Sequence, residues 1–222
     1  TFKTLSAWSL RMVVNGDESD ETLAWGRRML RNFRPDHIYS SNFGWRYVGI
    51  VGSDVKYGSG DKKYDRPELQ KYQNILMNGG ICGRRAFFGR FILRSFGVPT
   101  TARPSKGHGA LARWTPGGWC VNLGPGWGSG WTSTRYRKDL DFLATSKARK
   151  NKNAFLKVKR AQWIGDVFGE KRIHGDNDQS LTFNSLVKLK PDFWNGLALN
   201  AQRKIIKDLK EGNLEALGEE LG

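Results

Sequence analysis

Cys82 and His108 are the residues whose types and placement could do chemistry together. Cys82 follows Asn78-Gly79-Gly80-Ile81, a flexible entry into an apolar stretch that runs to Phe96, so the thiol stands at a helix start. Backbone N–H groups without helical partners and the helix dipole favour an anion there. His108 comes 26 residues later, at the head of the apolar segment Gly109-Ala110-Leu111-Ala112-Arg113-Trp114, which reads as a strand. A thiol at a helix start and an imidazole at a strand head are the parts of a thiolate–imidazolium pair, a nucleophile for acyl chemistry. The same two residues would equally serve as a buried structural Cys and a hydrogen-bonded core His.

The elements that must position this pair are an α+β set. From Cys82, steps of four, seven and eleven lead to Ala86, Gly89 and Leu93, a stripe whose small residues let another element come close. Gly97 is placed for a left-handed helix cap and Pro99 prevents continuation. Short strands are expected from Thr100 to Leu123, turning around Thr115-Pro116-Gly117-Gly118. Upstream, Leu23, Met29, Leu30 and Phe33 recur at helical spacing from Glu21 until Pro35 stops them. The segment from Asn42 to Asp65, rich in Gly, Ser, Tyr and Asp, predicts strand pieces and loops, and Pro67 predicts the start of a short helix towards Met77. Ile205, Ile206, Leu209, Leu214 and Leu217 mark a C-terminal amphipathic helix.

Several of these parts, in this order, resemble the core of the transglutaminase-like superfamily, a branch of the papain-like cysteine enzymes. The resemblance covers residues 78–124 and rests on Gly80-Ile81-Cys82 with Ala86, on Arg94-Ser95-Phe96-Gly97-Val98-Pro99, on His108 opening a strand, and on Gly118-Trp119. It implies a helix bearing Cys82 packed on an antiparallel sheet bearing His108, with acyl chemistry through a thioester. The family's His is usually followed by Ala-Trp and a nearby Glu, whereas Gly109 and Ala110 follow here. Its third catalytic residue is normally an Asp four residues after the Trp, where this chain has Leu123; the neighbouring Asn122 is the stand-in, with Asp139 or Asp141 as alternatives. A four-residue turn at Thr115–Gly118 would set Asn122 opposite Leu111, so a bulge near Gly117-Gly118 is needed to bring Asn122 to the His108 face. For the oxyanion, the Cys82 N–H is joined by Gln73, Tyr72 or Trp45. Animal transglutaminases use a Trp some three dozen residues before the Cys, and Trp45 lies 37 before Cys82.

Trp114, Trp119, Trp127 and Trp131 place four of the nine Trp within 18 residues. Core packing accounts for the first two, while Trp127 and Trp131, between glycines, are equally suited to line a substrate groove. Charge is concentrated elsewhere. Between Arg135 and Arg160 ten Lys/Arg face two Asp, half of the chain's net +16. Lys147, Arg149, Lys150 and Lys152 there are the anion-binding candidates, for an acidic polysaccharide, nucleic acid or another polyanion, against the plainer reading of a solvated face. Two Cys and three scattered His show no zinc spacing, so no metal is expected. The glycine runs fit neither GxGxxG nor a P-loop, so no nucleotide cofactor is expected either. No apolar run reaches the ~20 residues of a spanning helix. The domain reading is an N-terminal helical extension (1–40), a transglutaminase-like core (41–165) and a C-terminal extension (166–222). Because the chain opens on Thr1, it is expected to belong to a longer parent protein. Two functions follow: a thiol enzyme acting on a protein, peptide or other amide, or a non-catalytic module of the same fold that binds an anionic polymer or serves as a structural domain.

Overall fold

The computed structural model of the chain describes residues 2–40, 49–58, 62–105, 108–115, 118–120, 139–148, 152–172, 177–178, 187–188 and 191–212. They fall into two compact units. The first opens with helices α1 (Ala7–Val14), α2 (Asp20–Phe33), α3 (Pro35–Tyr39) and α4 (Gly49–Ser53). It continues with α5 (Lys71–Asn78), α6 (Cys82–Ser95), the first half of strand β1 (Thr100–Ser105), whose residues 103–105 fall in the second unit, and strands β2 (His108–Thr115) and β3 (Gly118–Cys120). The strands form a sheet in the order β1-β2-β3. The second unit holds α7 (Asp139–Ala148), α8 (Lys152–Val167), α9 (Phe193–Gly212) and the antiparallel pair β4 (Asn177–Asp178) and β5 (Val187–Lys188). Mixed helix and antiparallel sheet make the chain α+β.

The first core forms around the apolar face of α6. Phe88, Phe91 and Ile92 meet Leu30 of α2, Ile50 and Val51 of α4, Val55, and Tyr72 and Ile75 of α5. Tyr72 stacks on Phe91 at 3.8 Å between ring centroids, and Trp25 stacks on the same ring at 5.8 Å. The helices read from the sequence as an N-terminal extension therefore contribute to this core. Helix α2 comes in at Gly26, where a Cβ would lie 2.5 Å from Phe91 Cζ and 2.5 Å from Ser95 Oγ. A buried polar tie completes the junction. The Tyr72 hydroxyl donates to Glu18 Oε1 (2.5 Å), Arg94 Nη1 pairs with Glu18 Oε2 (3.0 Å), and Arg94 Nη2 donates to the Asn15 carbonyl (2.8 Å).

Helix α6 ends as its sequence predicts. Gly97 has φ 71°, its N–H donates to the Arg94 carbonyl, and the Val98 N–H donates to the Leu93 carbonyl, the paired bonds of a Schellman cap. Leu93 and Val98 then bury Leu111 of β2. Strands β2 and β3 pair in regular antiparallel register: Thr115 pairs with Gly118, Trp114 with Trp119 and Arg113 with Cys120. The three described pairs are consecutive, so the bulge expected near Gly117-Gly118 is absent from them.

Elsewhere side chains from outside the local sequence move the boundaries. Helix α5 starts at Lys71 rather than Pro67, because the Asn74 side chain bonds the Arg66 N–H and the Arg66 and Leu69 carbonyls, holding those residues as a loop. Within the stretch expected to be strands and loops, Gly49–Ser53 is a helical turn, tied to α3 by Arg34, which pairs with both Asp36 and Asp54. Helix α9 starts at Phe193, twelve residues before Ile205, the first residue of the amphipathic pattern, because the Glu170 carboxylate accepts the Trp194 (3.0 Å) and Asn195 (2.9 Å) N–H groups. In the second unit Val158 and Ile205 pack together, and Asp141 accepts the side-chain amides of the buried Gln162 and Gln202.

Candidate functional site

Cys82 is the first residue of α6, after Ile81 in an extended conformation (φ −80°, ψ −175°). The approach is set by two glycines. Gly79 ends α5 with φ 73°. Gly80 pairs with Tyr57 in an isolated parallel bridge, its N–H donating to the Lys56 carbonyl at 2.9 Å. A Cβ on Gly80 would lie 2.5 Å from Arg84 Cβ, so glycine is required where the chain folds under its own next helical turn. The first N–H to reach a helical acceptor is that of Arg85, 3.1 Å from the Ile81 carbonyl. The N–H groups of Cys82, Gly83 and Arg84 precede the ladder, around a half-buried free thiol.

The head of β2 lies against this thiol. The Gly109 N–H donates to Cys82 Sγ at 3.4 Å, and His108, at the head of β2, immediately precedes Gly109. A Cβ at position 109 would be 3.1 Å from Gly83 Cα and 3.5 Å from Gly83 N. Strand and helix start therefore come so close that an Ala at position 109 would require the backbone of one to give by a few tenths of an ångström. Beside Gly83 there is room, with nothing within 4 Å of the Cβ it lacks. Down the helix Ala86, Gly89 and Leu93 are buried, and Leu93 meets Leu111, so the small-residue stripe faces β2.

The flanks of the site are cationic and aromatic. Arg84 grips Asp65 through two hydrogen bonds (2.9 and 3.0 Å), and Asn78 donates to the same carboxylate (2.9 Å). The Arg84 bonds, and then that of Asn78, hold the Asp65 carboxyl below its ordinary range. Arg85 is buried, with Nη1 donating to the Val55 carbonyl and the guanidinium 5.5 Å from the Tyr57 ring. Ile81 and Tyr57 present exposed apolar surface on the same approach. Neither arginine was singled out from the sequence, yet a signal was there. Two cations directly after Cys82 sit in the first turn of a helix, the end at which its dipole opposes positive charge.

Of the other residues expected here, Gln73 accepts the Gln70 N–H at 3.0 Å and Tyr72 donates to Glu18. Asp141 is committed to Gln162 and Gln202 in the second unit. Trp45, Asn122, Leu123, Trp127 and Trp131 lie outside the described residues, as do Arg149, Lys150 and the side chains of His108, Asp139 and Lys147. Lys152 opens α8 and is exposed. Among the described residues no group of His, Cys, Asp or Glu is arranged to hold a metal, and no helix is long and apolar enough to cross a membrane. A separate open groove of about 720 Å³, lined by Trp25, Met29, Phe33, Leu76 and Met77, does not take in Cys82. No family model matches the chain, and no curated protein or solved structure matches it.

Proposed function

We propose that the chain is a transglutaminase-like thiol enzyme that cleaves or transfers an acyl group from an amide. The observation that carries this reading is the Gly109 N–H at 3.4 Å from Cys82 Sγ, which joins the strand headed by His108 to the helix headed by the thiol. His108 takes the Cys82 proton, and the sulfur attacks the carbonyl carbon of a Gln side chain or peptide bond. The tetrahedral oxyanion is received by the N–H groups at the start of α6. As the C–N bond breaks, His108 returns the proton to the departing amine or ammonia. Water or a second amine, losing a proton to His108, then resolves the thioester and restores the thiol. In this proposal Tyr57 and Ile81 contact the substrate.

The test is the relative alkylation of the two cysteines by iodoacetamide in the folded chain, read by peptide mass. Cys82 is expected to react much faster than Cys120, and His108→Ala to slow Cys82 alone. Ammonia release from a glutamine peptide, abolished by Cys82→Ala, identifies the acyl donor, with the loss of general base expected to reduce turnover by about 10²–10⁴-fold. Equal and slow labelling of both thiols, indifferent to His108→Ala, rejects the enzyme and leaves the non-catalytic module.

A further inference from the structure

Arg85 is a buried cation that the fold leaves without a counter-charge. Its residue is 7% exposed, yet among the described residues only Nη1 of its five donors finds an acceptor, the Val55 carbonyl, while Nε is enclosed with no acceptor there. No acidic side chain pairs with it among the described residues. Its neighbour Arg84 differs in having a counter-charge, since both of its Nη groups bond the Asp65 carboxylate. Three penalties therefore fall on Arg85 together. Burial removes water from a charge, an enclosed N–H goes unmet, and the first turn of α6 opposes a cation. Burial accordingly pushes its guanidinium below the ordinary range, with Tyr57 opposing. A fold has no structural need for such a group, because an apolar side chain of the same length would pack there without these costs.

The surroundings say what would satisfy it. The guanidinium lies between the Val55 carbonyl and the Tyr57 ring. Tyr57 is itself at the surface and pairs with Gly80, two residues before Cys82. Nε and Nη2 remain as the planar two-donor edge of an arginine, which matches the two oxygens of a carboxylate. One uncompensated positive charge calls for a monoanion. The N–H groups at the start of α6 add to the attraction.

We propose that Arg85, covered by Tyr57, recognises a carboxylate on the substrate close to the carbonyl that Cys82 attacks, so that the enzyme selects acidic acyl donors such as Asp- or Glu-bearing peptides or uronic acid amides. This rests on the thiol-enzyme reading. The anion displaces no ion pair among the described residues.

The experiment compares two alkylating agents at Cys82 in the full chain, anionic iodoacetate and neutral iodoacetamide. In both, the sulfur displaces iodide, so the ratio of rates isolates the carboxylate. Arg85→Met is expected to lower the iodoacetate rate relative to iodoacetamide by about 10-fold or more, the loss of a charge-assisted hydrogen bond. Arg85→Lys, which keeps charge but loses the fork, falls between. A second arm uses acetate alone. At constant ionic strength, replacing chloride by acetate should raise the melting temperature of the wild type and of Arg31→Gln, an exposed charge-loss control, but not of Arg85→Met. An unchanged reagent ratio and an acetate shift retained in Arg85→Met overturn the proposal, as does equal loss in Arg31→Gln, which would mark general basicity. If neither reagent prefers Cys82 over Cys120, the thiol-enzyme reading fails, and the acetate arm still decides whether Arg85 binds a carboxylate.

Discussion

The contact between β2 and the start of α6 predicts opposite outcomes for two adjoining glycines. Gly109→Ala places a methyl 3.1 Å from Gly83 Cα, where carbon atoms prefer ~3.5–4.0 Å. Because the obstacle is backbone, either β2 or the first turn of α6 must move by several tenths of an ångström. Overpacking of this kind costs about 1–3 kcal/mol. That is less than the ~5–15 kcal/mol that holds a domain together, so the variant should fold, melting about 2–12 °C lower. Gly83→Ala meets nothing within 4 Å and removes a helix glycine, so it should be neutral or stabilise by up to ~1 kcal/mol. Moving β2 also separates the Gly109 N–H from Cys82 Sγ, and an offset approaching 1 Å between reacting groups lowers rates by about 10²-fold. Urea unfolding and the iodoacetamide rate at Cys82, measured on both variants, check the two halves independently. If Gly109→Ala were as stable as the wild type and labelled at the same rate, β2 would not seat against the helix start, and the reasoning about the pair would be wrong.

The buried carboxylate of Glu18 gives a prediction with a definite pH sign. Burial works to raise its pKa, but the Tyr72 hydrogen bond and the Arg94 charge outweigh it and leave the carboxyl below its ordinary value. Its stabilisation is therefore present above the unfolded-chain value of ~4.3 and lost as pH falls through the lower folded value. Glu18→Gln, which leaves Arg94 buried without its anion, should cost about 3–5 kcal/mol at pH 7 by urea unfolding, with the gap to wild type closing towards pH 3; a gap that does not change with pH counts against the ion pair. Gly97→Ala must hold a side chain at φ 71°, and should destabilise by about 1 kcal/mol in the same assay, without altering the iodoacetamide rate at Cys82.

What the sequence discloses about the fold follows the range of the forces involved. The end of α6 was legible because Gly97 and Pro99 act within a few residues of the cap. The register of β2 and β3 was legible only as two alternatives: an unbulged turn at Thr115–Gly118 sets Trp114 opposite Trp119, as found, whereas the bulge expected for the sake of Asn122 is absent from the described pairs. The starts of α5 and α9 were not legible, since Asn74 and Glu170 supply their hydrogen bonds from five to 25 residues away. Nor was the packing of the N-terminal helices into the core. The period of Leu23, Leu30 and Phe33 shows an apolar face, whereas its partner is set by Gly26 meeting Phe91 and by Glu18 meeting Arg94.

At the candidate site the division is one of chemistry. Cys82 and the strand headed by His108 could be found from residue type and order. Gly109 stands where β2 comes close to Gly83, beside the thiol. Arg84 and Arg85 were not singled out, because charge in a helix ordinarily points outward. Their significance appears only when each guanidinium is asked for its partners. Arg84 is answered by Asp65 and contributes to holding the loop before α5, while Arg85 is answered by one carbonyl and one ring. Burial and the helix start disfavour that cation, and among the described residues only the Val55 carbonyl and the Tyr57 ring oppose them. A bound carboxylate would complete it, and the iodoacetate and acetate measurements ask for that state directly.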